Sequence, residues 1–77
     1  MTSRIPLDLV VRRRGREVSR FRAEADPGES GDLRRLLIDE VNRLRLGDKM
    51  PRDLPLYELD VHRAGSRSRE FTFRAAK

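Results

Sequence analysis

The sequence predicts a two-layer α+β domain with the element order β-β-α-β-β. Three observations predict it. Two pairs of segments alternate apolar and polar residues with period 2, each pair joined by a short turn that contains glycine. A single stretch between the pairs carries leucines and valine at helical spacing. No other stretch of the 77 residues has either period over a useful length.

The first strand is the run in which Leu7, Leu9 and Val11 alternate with Asp8, Val10 and Arg12. Arg13-Arg14-Gly15 then reads as a three-residue hairpin loop with glycine at its left-handed position. That loop pairs Val11 with Glu17, Leu9 with Ser19 and Leu7 with Phe21, and sets Asp8 opposite Arg20. Phe21, Ala23 and Ala25 then share the face of Leu7 and Leu9, while Val10 and Val18 meet on the other face. Asp26-Pro27-Gly28 is a turn signal. Ser30 follows as the expected N-cap, with Asp32 in the first turn.

Leu33, Leu36, Leu37, Val41 and Leu44 form one apolar stripe of a helix. Ile38 lies at its margin, Arg35, Asp39 and Arg43 on its solvated face, and Gly47 is the expected stop. Asp48 to Pro55 reads as a loop tacked down by Leu54 and Leu56. In the second hairpin Tyr57, Leu59 and Val61 alternate with Glu58, Asp60 and His62, and Phe71, Phe73 and Ala75 with Glu70, Thr72 and Arg74. A turn at Gly65-Ser66-Arg67 pairs Val61 with Phe71, Leu59 with Phe73 and Tyr57 with Ala75. On the other face it pairs His62 with Glu70 and Glu58 with Arg74.

These elements make residues 1–77 one domain: a four-stranded mixed sheet with the helix packed on one face. Placing the first and last strands side by side gives the order 2-1-4-3. This layout resembles the ubiquitin-like β-grasp superfold over the hairpin Leu7 to Ala25, the helix Gly31 to Leu46 and the closing strands Tyr57 to Ala75. The resemblance implies a binding module that uses its open sheet face or an edge strand. The chain ends Phe73-Arg74-Ala75-Ala76-Lys77 where modifiers and sulfur carriers of that superfold end in Gly-Gly, so conjugation is not among the expectations. A fainter similarity, carried by Tyr57-Glu58-Leu59-Asp60-Val61, Gly65 and Phe71-Thr72-Phe73, is to emfourin-like inhibitors of metalloproteases.

The chain carries a net charge of +5, and among its basic residues only Lys49 and Lys77 are lysine. Arginine forks suit phosphate, but a GC-rich genome, which encodes arginine in place of lysine, gives the same bias. It has no cysteine, no apolar run near the roughly 20 residues that span a bilayer, and no signal-peptide pattern. The expectation is a cytoplasmic protein without disulfides. No phosphate loop, HExxH or nucleophile elbow is present, so no catalytic residue, metal ligand or cofactor is assigned and the protein is expected not to be an enzyme. Glu58, Asp60 and His62 lie two apart on a strand, nearly 7 Å per step, too wide for a compact metal-ligand set.

The leading expectation is a small protein-interaction module or inhibitor, either an adaptor or a phage-type host-modulating protein. It would bind another protein through Val10, Val18, Arg20, Arg12 and Thr72 on the outer sheet face, or through an edge strand. The alternative is a nucleic-acid backbone binder using Arg12, Arg13, Arg14, Arg16, Arg20 and Arg22. The aromatic residues all fall on the core face, which leaves no stacking platform for single strands. The expected assembly is a monomer or an edge-strand homodimer, with no membrane partner.

Overall fold

The computed structural model describes residues 4–45, 47–49 and 52–75. Its elements are β1 (Ile5–Arg13), β2 (Arg16–Ala25), α1 (Ser30–Leu44), a short 3-10 turn (Leu54–Leu56), β3 (Tyr57–Arg63) and β4 (Arg69–Phe73). The four strands form one sheet in the order β2-β1-β3-β4, and every neighbouring pair is antiparallel. The expected order 2-1-4-3, with its parallel central pair, is therefore corrected: β3 is the inner strand and β4 the edge.

Burial explains this order. Tyr57, Leu59 and Val61 of β3 are fully buried, and so is Asp60 between them. β4 has five residues, of which Arg69, Glu70 and Phe71 are exposed, so a central position would bury charges that the edge leaves in water. The chain also arrives at β3 beside β1. The Arg14 N–H donates to the Leu56 carbonyl at 2.9 Å, and Arg13 pairs with Tyr57 in the ladder.

The first hairpin also departs from expectation. Arg14 and Gly15 both have positive φ, 53° and 82°, so the turn has two residues rather than three. Arg13 pairs with Arg16 and Arg12 with Glu17, and a bulge at Val18 then sets Val11 opposite Ser19, Leu9 opposite Phe21 and Leu7 opposite Ala23. Asp8 consequently faces Arg22, not Arg20. The second hairpin keeps the expected pairs Val61–Phe71 and Leu59–Phe73, until a bulge pairs His62 with Arg69 instead of Glu70.

The helix lays Leu33, Leu37 and Val41 on Leu7, Leu9, Val11, Leu59 and Val61, with Leu54, Tyr57, Ala25 and Ala75 closing the rim. Leu36, Ile38, Phe21, Ala23 and Phe73 pack partly against this core. Glu29, not Ser30, is the N-cap residue, without a side-chain cap bond. The turn before it is held by Asp26, whose carboxylate accepts from the Gly28 N–H at 2.8 Å. The helix ends at Arg45, in the left-handed region at φ 52°. Leu46, the expected helix limit, lies outside the described residues, as do the terminal residues 1–3 and 76–77. Among the described residues no helix is long and apolar enough to cross a membrane.

Candidate protein-binding site on the outer sheet face

Among the described residues no second layer of backbone covers the face of the sheet opposite α1, yet its centre is sealed. Asp60 keeps 2% of its surface exposed because it sits on an inner strand between cationic and hydroxyl neighbours. Arg12 of β1 donates from Nε to Asp60 Oδ2 at 2.6 Å, and Thr72 of β4 donates from Oγ1 to Oδ1 at 2.8 Å. Arg69 approaches the same carboxylate at 3.6 Å. Burial alone would push the Asp60 carboxyl up. The bonds from Thr72 and Arg12 and the charge of Arg69 outweigh it and hold the group below its ordinary range. All three partners, two hydrogen-bond donors and one neighbouring charge, are available only because β3 lies between β1 and β4.

Around this centre the face is laced by further pairs. Arg22 clamps Asp8 through both nitrogens at 2.6 and 3.2 Å, and Asp8 also accepts from the Gly65 N–H at 3.2 Å. Arg20 clamps Glu17, and Arg74 meets Glu58 at 3.3 Å as expected. Asp8 and Glu17 are both held below their ordinary pKa, first by these arginine bonds.

A half-open trough of about 920 Å³ runs over this face. Its lining includes Val10, Asp60, Arg12, Arg20, Arg67 and Arg69, with Asp8 and His62 beside them. So small a chain leaves little room for an enclosed pocket, and the trough meets that limit by being an open surface between the β3–β4 turn and β2.

The expected protein-binding residues divide. Arg12, Arg20 and Thr72 are on this face with Val10, but Val10 is only 8% exposed between its cross-strand partners Arg20 and Asp60. Val18 is not on this face: as the bulged residue it turns inward and packs against the core. The expected apolar pair at the patch centre does not form. No protein-family model, curated protein or solved structure matches this chain.

The arginines expected to track phosphate are mostly engaged. Arg12, Arg20 and Arg22 hold Asp60, Glu17 and Asp8, and Arg13 makes a two-nitrogen clamp on Asp48 at 2.8 and 3.0 Å. Arg14 and Arg16 at the turn make no ion pair among the described residues. The Asp48 cluster was not foreseen, since Arg13 and Asp48 are far apart in sequence and Asp48 lies in a loop. Tyr57 donates its hydroxyl to the same carboxylate. Arg13, then Tyr57, lowers the Asp48 pKa to about 2, while burial and Asp48 push the Tyr57 hydroxyl up to about 12. This cluster fastens the loop before β3 to β1. A second unforeseen group is Glu40, buried on the helix, which accepts from Ser19 of β2 and from Arg43 at 2.6 and 2.9 Å. Arg43, and then Ser19, keep its pKa low against the opposing effect of burial.

Proposed function

We propose that this chain is a small non-enzymatic binding domain that takes an acidic segment of a protein partner into the outer trough. The supporting observation is the charge balance of the lining. Four arginines, Arg12, Arg20, Arg67 and Arg69, stand against two aspartates, Asp8 and Asp60. Asp60 is shared by Arg12 and Arg69, and Arg67 makes no ion pair among the described residues. One carboxylate cannot neutralise two guanidinium groups, so the trough retains positive potential over a fixed polar floor. Such a surface steers and orients an acidic partner. The rows of alternating side chains and the free sheet edges fit an extended segment.

A short poly-glutamate peptide serves as the probe, followed by amide chemical shifts of the labelled protein. The expected result is saturable shifts at Val10, Asp60, Arg67 and Arg69, lost in the double variant R67E/R69E and kept in R14E/R16E. Shifts confined to other surfaces overturn the reading. The nucleic-acid alternative is decided in the same series. Binding of generic duplex DNA with a steep salt slope, abolished by R14E/R16E, would favour it.

A further inference from the structure

We infer that the free edge of β4 joins two copies of this chain, antiparallel and centred on Thr72. β4 is an edge strand, bonded only to β3 within the sheet. It carries Phe71, which is 37% exposed and is the one exposed large hydrophobic side chain among the described residues. Phe71 stands opposite the buried Val61, hence on the helix side of the sheet. An uncovered aromatic beside unpaired backbone is the usual starting point for strand-to-strand association.

The sequence of this edge is complementary to itself. Glu70-Phe71-Thr72-Phe73-Arg74 has an acid at one end and a base at the other, with an aromatic on each side of the centre. A two-fold axis through Thr72 sets Glu70 opposite Arg74 of the second copy, and Phe71 opposite its Phe73, each twice. An axis through Phe71 instead sets Glu70 opposite Thr72 and leaves both charges unmatched. On the other edge, Arg20-Phe21-Arg22-Ala23-Glu24 likewise sets Arg20 opposite Glu24 when Phe21 meets Ala23, but the same axis puts Arg22 against Arg22 at its centre.

Little has to be given up for the contact to form. Glu70 bonds Arg63 at 3.0 Å and Arg74 bonds Glu58 at 3.3 Å, and three of these four side chains are well exposed. Surface pairs of this kind exchange at small cost. The bulge at Glu70 ends regular pairing there, so the shared ladder is short. The area buried falls at the low end for specific contacts, under about 1,200 Å², and the dimer is accordingly weak and concentration-dependent.

Sedimentation velocity on the full chain, from about 10 μM to about 1 mM, tests this. The expected result is a monomer–dimer equilibrium within that range. E70R and R74E each place like charges opposite one another and weaken association at least about tenfold. An equimolar mixture of the two variants restores it, because each added charge then meets its opposite on the other copy. Circular dichroism and melting temperature show that both variants fold. A chain that stays monomeric throughout overturns the inference. So does a dimer that the single variants leave unchanged, or one that the mixture fails to restore.

Discussion

The two faces of the sheet are sealed by different chemistry. On the inner face Leu7, Leu9, Val11, Tyr57, Leu59 and Val61 are buried by a helix. On the outer face no helix lies among the described residues, yet Val10 and Asp60 are buried nearly as well. The first kind of burial is non-directional and scales with apolar area. The second depends on arginine stems laid over the sheet and on forks that fix each stem to a carboxylate. A domain this small, with one helix, covers only one face with secondary structure. The arginines of β1, β2 and β4 act as its second cover, which gives the arginine-rich composition a structural reading beside phosphate recognition and genome bias. Lysine, a point charge without the planar fork, would not hold the same lattice.

The largest effect comes from breaking the inner face. Leu59→Ala removes a fully buried side chain at the sheet centre and is expected to cost about 3 kcal/mol in urea denaturation. Breaking the outer face at the neighbouring residue is expected to cost less but still substantially. Asp60→Ala leaves Arg12 and Arg69 facing each other without their shared anion, at about 2 kcal/mol. A double-mutant cycle with Arg12→Ala isolates the pair, since Arg12 can turn toward water once Asp60 is gone. Should Asp60→Ala leave the denaturation midpoint where it was, the outer face is ordinary solvated surface and the contrast collapses. At the exposed rim, Arg22→Ala is expected to shift the midpoint barely at all, because the Arg22–Asp8 pair stands in water.

The inner face was largely legible from the sequence and the outer face was not. Period-2 and helical spacing located all four strands and the helix, because apolar burial leaves a pattern in every residue it touches. The second hairpin could be registered from Phe71, Phe73, Leu59 and Val61 alone. The first could not: its two-residue turn places Arg14 at positive φ, where asparagine, aspartate or glycine is the usual signal. The bulge at Val18 then moved that side chain to the other face. Strand order was the costliest miss, because alternation does not say which strand is a neighbour. With β3 taken as an edge, Asp60 read as one more surface acid. With β3 inside, it became the anion that three side chains share. Asp48 and Glu40 were missed for a related reason. Arg13 and Tyr57 at Asp48, and Ser19 at Glu40, are brought in by tertiary contact and leave no local spacing to read; only the Glu40–Arg43 pair, three residues apart on the helix, is local.

The contrast between the faces has a counterpart in pH. Asp48, Asp60, Asp8 and Glu40 are all held below their ordinary values, so each is charged in the folded chain at pH values where the unfolded chain has begun to take up protons. Their stabilisation is fully present above the unfolded carboxylate pKa, about 4, and drains away as pH falls through the folded values. For Asp48 that window reaches down to about 2. Tyr57 has the opposite sign. Raised to about 12, it stabilises fully below the unfolded tyrosine value, near 10, and loses that contribution as pH climbs between the two. Melting temperature should therefore be level through neutrality and fall at both ends. Tyr57→Phe should straighten the alkaline limb and shallow the acid one, because the same hydroxyl holds Asp48. Asp60→Asn should shallow the acid limb and leave the alkaline limb untouched. If both variants changed both limbs equally, the loop fastening and the outer face would be one coupled network; if they separate as expected, the outer face is titrated independently of the joint that ties the loop to β1.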